Sequence, residues 1–188
     1  MSKAMRFRFN EKKAAQAAAH MLKRKGGSLD KLVLLKTLYM ADRRTLLEHG
    51  QPITGDRMVA MDHGPVLSVV LNLMNRTPGP GSMWARLIDP PNSDNDVRLK
   101  ADANADTDEL SRYELRVLDE ELDKYGDMEP YGLVDLLHKI CPEWRLPHGA
   151  VADIEYVDIL RKTGKSDAEI KSIEIEAELA YAHAMLGQ

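Results

Sequence analysis

A carboxylate on the inner face of a helix is the feature that most constrains how this chain folds. Residues 38–72 read LYMADRRTLLEHGQPITGDRMVAMDHGPVLSVVLN. Leu35, Leu38, Tyr39 and Leu46 recur at three- and four-residue spacing, and Asp42 lies between Tyr39 and Leu46 on that same face. An ionised carboxylate turned toward a core must be paired or protonated, because desolvation alone costs several kcal/mol. Arg57 and His63, just beyond the helix, are the candidate partners. The expectation is therefore a polar cluster of Asp42, Arg57 and His63 that ties the helix to the loop after it. Such a cluster reads either as a structural staple or as a partner-binding corner, since polar groups gathered where a helix meets a loop are also what sites look like.

The rest of that stretch supplies the turn chemistry. Pro52 pre-sets one backbone angle and Gly55 permits a positive one, so residues 51–56 turn the chain toward a brief buried strand at 58–61. Gly64 allows an unusual backbone or a close approach, and Pro65 suits the first position of a helix running to residue 75. Asp62 and His63 then stand at that helix's N-terminus, where a carboxylate gains from the dipole.

Around this centre the chain reads as helices. Asn10 caps an alanine-rich helix that stops at Gly26-Gly27, and Ser28 caps the second helix, which Gly50 ends. Ser111 and Glu114 form a capping box for a helix with Leu118, Leu122 and Tyr125 inside, and Pro130 opens another that ends at Cys141-Pro142. Trp144 and His148 fall in an irregular connection, and the aromatic plugs the core there. Asp153 caps a short helix at 154–162. A second capping box, Ser166 and Glu169, starts a final helix whose inner face is Ile170, Ile173, Ala177, Ala180, Tyr181 and Ala184.

Partial alternation at 83–89 and 96–101 predicts a hairpin that joins 57–61 in a small antiparallel sheet of three strands. Residues 1–9 read as a short strand or a flexible basic arm, and 90–108 as an exposed acidic loop. The fold class is α+β, mainly α-helical: one domain over residues 1–188 with six to seven helices and a small antiparallel sheet.

Charge and composition exclude several functions. A net charge of −4 and a pI near 5.9 argue against a generic grip on nucleic acid, although cations cluster near the N-terminus. The single cysteine, Cys141, rules out an internal disulfide and reads as a buried thiol. No apolar run approaches the ~18 residues that span a bilayer, and no signal peptide opens the chain, so a cytoplasmic protein is expected. No nucleophile with its base, metal-ligand set or phosphate-cradling glycine loop is present, so neither catalysis nor a cofactor or metal is expected. Asp42 with Asp62-His63 is the one constellation able to do acid–base chemistry.

The series Lys36, Leu38, Tyr39, Ala41-Asp42-Arg43, Gly50, Pro52-Ile53-Thr54-Gly55-Asp56, Val59-Ala60 and His63-Gly64-Pro65-Val66 resembles the Panacea domain, the SocA-like antitoxin domain of bacterial and phage toxin–antitoxin pairs. A weaker echo follows at Leu136-Leu137-His138, Pro142-Glu143-Trp144 and Ile154 to Leu160. The resemblance implies an antitoxin that neutralises a cognate toxin encoded nearby by direct protein–protein binding. It also implies that some members deliver the toxin to a AAA+ protease. Asp42, Arg57, Asp62 and His63 would shape or form the contact, with Gly55, Gly64 and Pro65 as backbone positions. Two other readings stay open: a DNA-binding autoregulator using the N-terminal cations, and a small hydrolase using Asp42 and His63. The toxin's identity and the oligomeric state are open as well.

Overall fold

Helix α2, Lys31–His49, is the axis of the fold because it is apolar on several sides at once: Val33, Leu34, Leu35, Leu38, Tyr39 and Leu46 are all buried. Each such side chain contributes about 1.5–3 kcal/mol when removed from water. The computed structural model describes residues 5–186, without the side chains of Met185 and Leu186. Helix α1, Glu11–Arg24, buries its alanines in the core and touches α2, and Asn10 caps it by accepting from the Lys13 amide at 3.0 Å.

The second helix starts later than Ser28, the expected cap. Ser28–Asp30 form strand β1, and Asp30 caps α2 by accepting from the Leu32 and Val33 amides. Gly50, at φ 72°, ends the helix as predicted.

The loop after α2 leads into a hairpin. Strand β2, Met58–Met61, pairs antiparallel with β3, Gly64–Leu67, and only then does helix α3, Ser68–Asn75, begin. This corrects the expectation that Pro65 opens the helix. β3 is an edge strand, where a residue without an amide hydrogen is tolerated. Asp62 and His63 make the two-residue turn, and Gly64, at φ 94°, closes it.

The predicted three-stranded sheet is also revised. Residues Met83–Leu87 are helix α4, capped by Ser82, with Trp84, Leu87 and Ile88 turned inward at helical spacing. Strand β4, Asp96–Arg98, pairs with β1 rather than with β2. The third partner of the β2–β3 pair is β5, Ala152–Asp153, giving the order β3-β2-β5.

Helices α5, Arg112–Tyr125, and α6, Pro130–Ile140, both lie on α2, and the Ser111–Glu114 capping box forms as predicted. Helix α7, Tyr156–Lys162, has Glu155 rather than Asp153 at its N-cap, because Asp153 is in β5. Helix α8, Asp167–Leu186, follows the Ser166–Glu169 box. Among the described residues the fold is mainly helical α+β, with eight helices and two small antiparallel sheets. The helix that the sequence pattern missed is α4.

Residues 5–9 do not form a strand or a loose arm. Met5 is buried, the Phe7 ring meets Tyr156 edge-on at 4.9 Å, and the Asn10 amide donates to the Thr54 carbonyl at 2.9 Å. The part of the predicted arm at residues 1–4 lies outside the described residues. The tip of the predicted acidic loop, residues 90–95, is exposed, and 96–98 is the β4 strand.

Candidate functional site

Asp42 faces the core as its place on α2 required, and it is 1% exposed. Its partner, however, is the turn itself. The Thr54 amide donates to one carboxylate oxygen at 3.0 Å and the Thr54 hydroxyl donates to the other. Burial raises the Asp42 pKa to about 7, against the lowering effect of these bonds and with a small further rise from Asp56. Protonation and neutral donors thus do what a countercharge was expected to do.

Asp56 extends the network. Its carboxylate accepts from the Val69 and Val70 amides at 2.9 and 2.8 Å, capping α3 from thirteen residues upstream, where Leu67 offers no side-chain cap. Burial raises Asp56 to about 6, opposed first by the bonds from Val70 and Val69. Tyr156 closes the group by donating to the Asp56 carbonyl.

The expected cluster of Asp42, Arg57 and His63 is therefore not formed. Arg57 is solvent-exposed, 3.6 Å from Asp153, with a 3.4 Å contact to Ser68 Oγ. A guanidinium stays in water unless a buried partner offsets its desolvation, and Asp42 is already satisfied. Asp62 and His63 are exposed at the hairpin tip, where His63 meets the Tyr131 ring at 5.9 Å. Gly55, at φ 68°, lets the Arg8 carbonyl approach so closely that a Cβ there would overlap it.

Behind the hairpin lies a feature the sequence reading did not single out. Lys36 is 0% exposed, and its ammonium donates to the Pro65 carbonyl at 2.8 Å. Burial lowers its pKa to about 7. A Cβ on Gly64 would sit 3.0 Å from Lys36 Nζ and 3.4 Å from His138 Nε2, so the missing side chain makes room for both groups. His138 Nε2 is enclosed and has no hydrogen-bond partner, and the ring stacks on Trp144 at 3.8 Å. Burial, then the Lys36 charge, lowers the His138 pKa. Trp144 Nε1 donates to the Met61 carbonyl at 3.0 Å, so the aromatic braces the hairpin from a half-buried position.

Next to it, Glu143 is a buried carboxylate held by the Tyr39 hydroxyl at 2.8 Å and by two bonds from Arg43. Cys141 is buried as predicted, 3.8 Å from the Met40 sulfur, and burial raises its thiol pKa to about 12. The signal for Lys36 was in the sequence: it lies one turn before Met40 and three residues before Tyr39, on a helix too apolar to turn it outward.

Among the exposed polar residues bordering this scaffold are three large apolar side chains. Tyr131 is 62% exposed and touches His63 at the tip. Leu146, 66% exposed, lies two residues past Trp144, and Val151 precedes the Ala152 that pairs with Ala60. Tyr131, Leu146 and Val151 are thus large apolar side chains left exposed on the segments that border the hairpin.

A family model described as antitoxin SocA-like, Panacea domain, matches residues 34–145. No curated protein and no solved structure matches the chain.

Proposed function

The chain belongs to the SocA-like antitoxin, Panacea domain family, and from that premise we propose that it neutralises a cognate toxin encoded nearby by direct protein–protein binding at the hairpin corner. The observation that carries this reading is the exposure of three large apolar side chains bordering the hairpin: Tyr131 against His63 at the tip, Leu146 two residues past Trp144, and Val151 next to the β5 residue that pairs with Ala60. Aromatic and aliphatic anchors on preorganised backbone lose little entropy on docking. The bound toxin is either held inactive or handed to a AAA+ protease in the cytoplasm. No helix among the described residues is long and apolar enough to cross a membrane.

Binding, not catalysis, is the role we assign. Asp42 accepts from the Thr54 amide and hydroxyl inside the core while His63 stands exposed at the hairpin tip, which disfavours their working as an acid–base pair. The reading as a DNA-binding autoregulator is the weaker one, because four of the cations near the N-terminus pair with carboxylates of the same chain. Lys12 pairs with Asp108 and Glu109, Lys13 with Glu114, Arg24 with Asp119 and Asp123, and Lys25 with Asp127.

The test is growth of cells expressing the neighbouring open reading frame, with wild-type protein or with the Tyr131→Asp/Leu146→Asp variant. Both positions are exposed, so the variant keeps its melting temperature and loses rescue. An immunoblot of the neighbour separates the routes: abundant but harmless product means inactivation by binding, and rapid disappearance means delivery to a protease. A variant that folds and rescues fully removes the corner from the mechanism.

A further inference from the structure

Helix α8 carries two apolar faces, and the fold uses one of them. The inner face is Ile170 and Ala177, both buried, with Ile173 seated on Gly50, where a Cβ would come within 3.0 Å of it. At about 100° per residue, Ala168, Ser172, Ile175, Leu179 and Ala182 form a second stripe on the opposite side. All five are exposed, Ile175 at 48% and Leu179 at 58%. A surface helix normally turns polar residues outward, so a small and apolar outer stripe four turns long points to a partner.

The charges around the stripe say which kind. The helix holds five carboxylates against one lysine; Asp167 pairs with Arg161, Glu169 with Lys165 and Glu174 with Lys171, and the exposed Glu176 flanks the stripe, so its border stays acidic on balance. Pairing with a second copy about a two-fold axis at Ala177 would set Glu176 against Glu176 of the copy, which like-charge repulsion disfavours. An apolar groove edged by lysine and arginine fits both the stripe and its flanks.

We propose that α8 is a second docking element for the toxin and that its Ile175–Leu179 stripe enters an apolar groove with a basic rim on that protein. The inference rests on the antitoxin reading. It places a determinant of partner choice outside residues 34–145, the part of the chain that matches the family model.

The experiment uses the full chain and the purified product of the adjacent open reading frame. Ile175→Asp/Leu179→Asp is compared with wild type for melting temperature, affinity by calorimetry, and growth rescue. The expected result is an unchanged melt, affinity weakened more than tenfold, and lost rescue. Glu176→Lys is the second variant: it leaves the stripe intact and is expected to weaken binding severalfold, and less so as salt is raised. Should the double variant bind and rescue like wild type, the α8 proposal is overturned while the antitoxin reading stands. Should wild type itself neither bind nor rescue, the antitoxin reading falls and the proposal falls with it. A wild-type dimer that the double variant splits into monomers assigns the stripe to a second copy and overturns the proposal.

Discussion

Two buried ionisable groups on α2 have opposite demands on pH. Asp42 keeps its proton up to about pH 7 in the fold, whereas in the unfolded chain it releases it near its usual value of 3.8. Between those limits the folded state binds more protons, so this group's contribution to stability falls as pH rises. Asp42→Asn keeps an acceptor for the Thr54 amide, and thermal melts from pH 4 to 8 are expected to lose that one-proton decline. Lys36 works the other way. Its folded pKa of about 7 lies below the usual 10.5, so the unfolded chain binds the extra proton and stability rises with pH across that window. Lys36→Met is expected to flatten the rise between pH 7 and 10. Melts that keep the wild-type slope would mean that another group titrates there.

At the scale of elements, the residues of the 52–56 turn act on neighbours far along the chain. Asp56 is the cap of α3 although β2 and β3 intervene, because the hairpin returns the chain to its own starting point. Asp56→Ala is expected to cost about 1–2 kcal/mol, the usual loss for a helix cap, read as a lower midpoint in denaturant, and Asp56→Asn to recover most of it. The Asp56 amide still donates to Thr54 Oγ1, and the Asp56 carbonyl still accepts from Tyr156, so the loss reports on the cap. The hairpin itself shows why Pro65 was misassigned. A proline after glycine suits a helix start and an edge strand equally well, and only the pairing of Ala60 with Pro65 distinguishes them.

At the scale of the whole molecule, Gly55 joins the chain's beginning to its centre. Its positive φ and the close approach of the Arg8 carbonyl align residues 5–10 against the turn, with Phe7 on Tyr156 and Asn10 on Thr54. Gly55→Ala adds backbone strain and an overlap with main chain, so a loss of about 1–3 kcal/mol is expected. Hydrogen exchange should quicken at the Asn10 amide before it does in α2. Uniform exchange across the chain would show instead that residues 5–10 unfold with the core.

Much of this architecture was legible in the residues themselves. The caps at Asn10, Ser111 and Ser166, the terminator Gly50, the inward Asp42 and the buried Cys141 depend on interactions within a few residues or on one helical face. Local chemistry determines such features, so a single sequence carries them. The corner at the hairpin was a different matter. Asp42 could be read as needing a partner, with Arg57 and His63 as the candidates, but it is Thr54 that supplies it, because of how the turn folds back on α2. Tyr131, His138 and Trp144 reach the hairpin from 68, 74 and 83 positions along the chain, and Lys36 is buried because Gly64 leaves space there. Those contacts are set by packing between distant segments, where geometry and desolvation choose among partners that the sequence makes equally available.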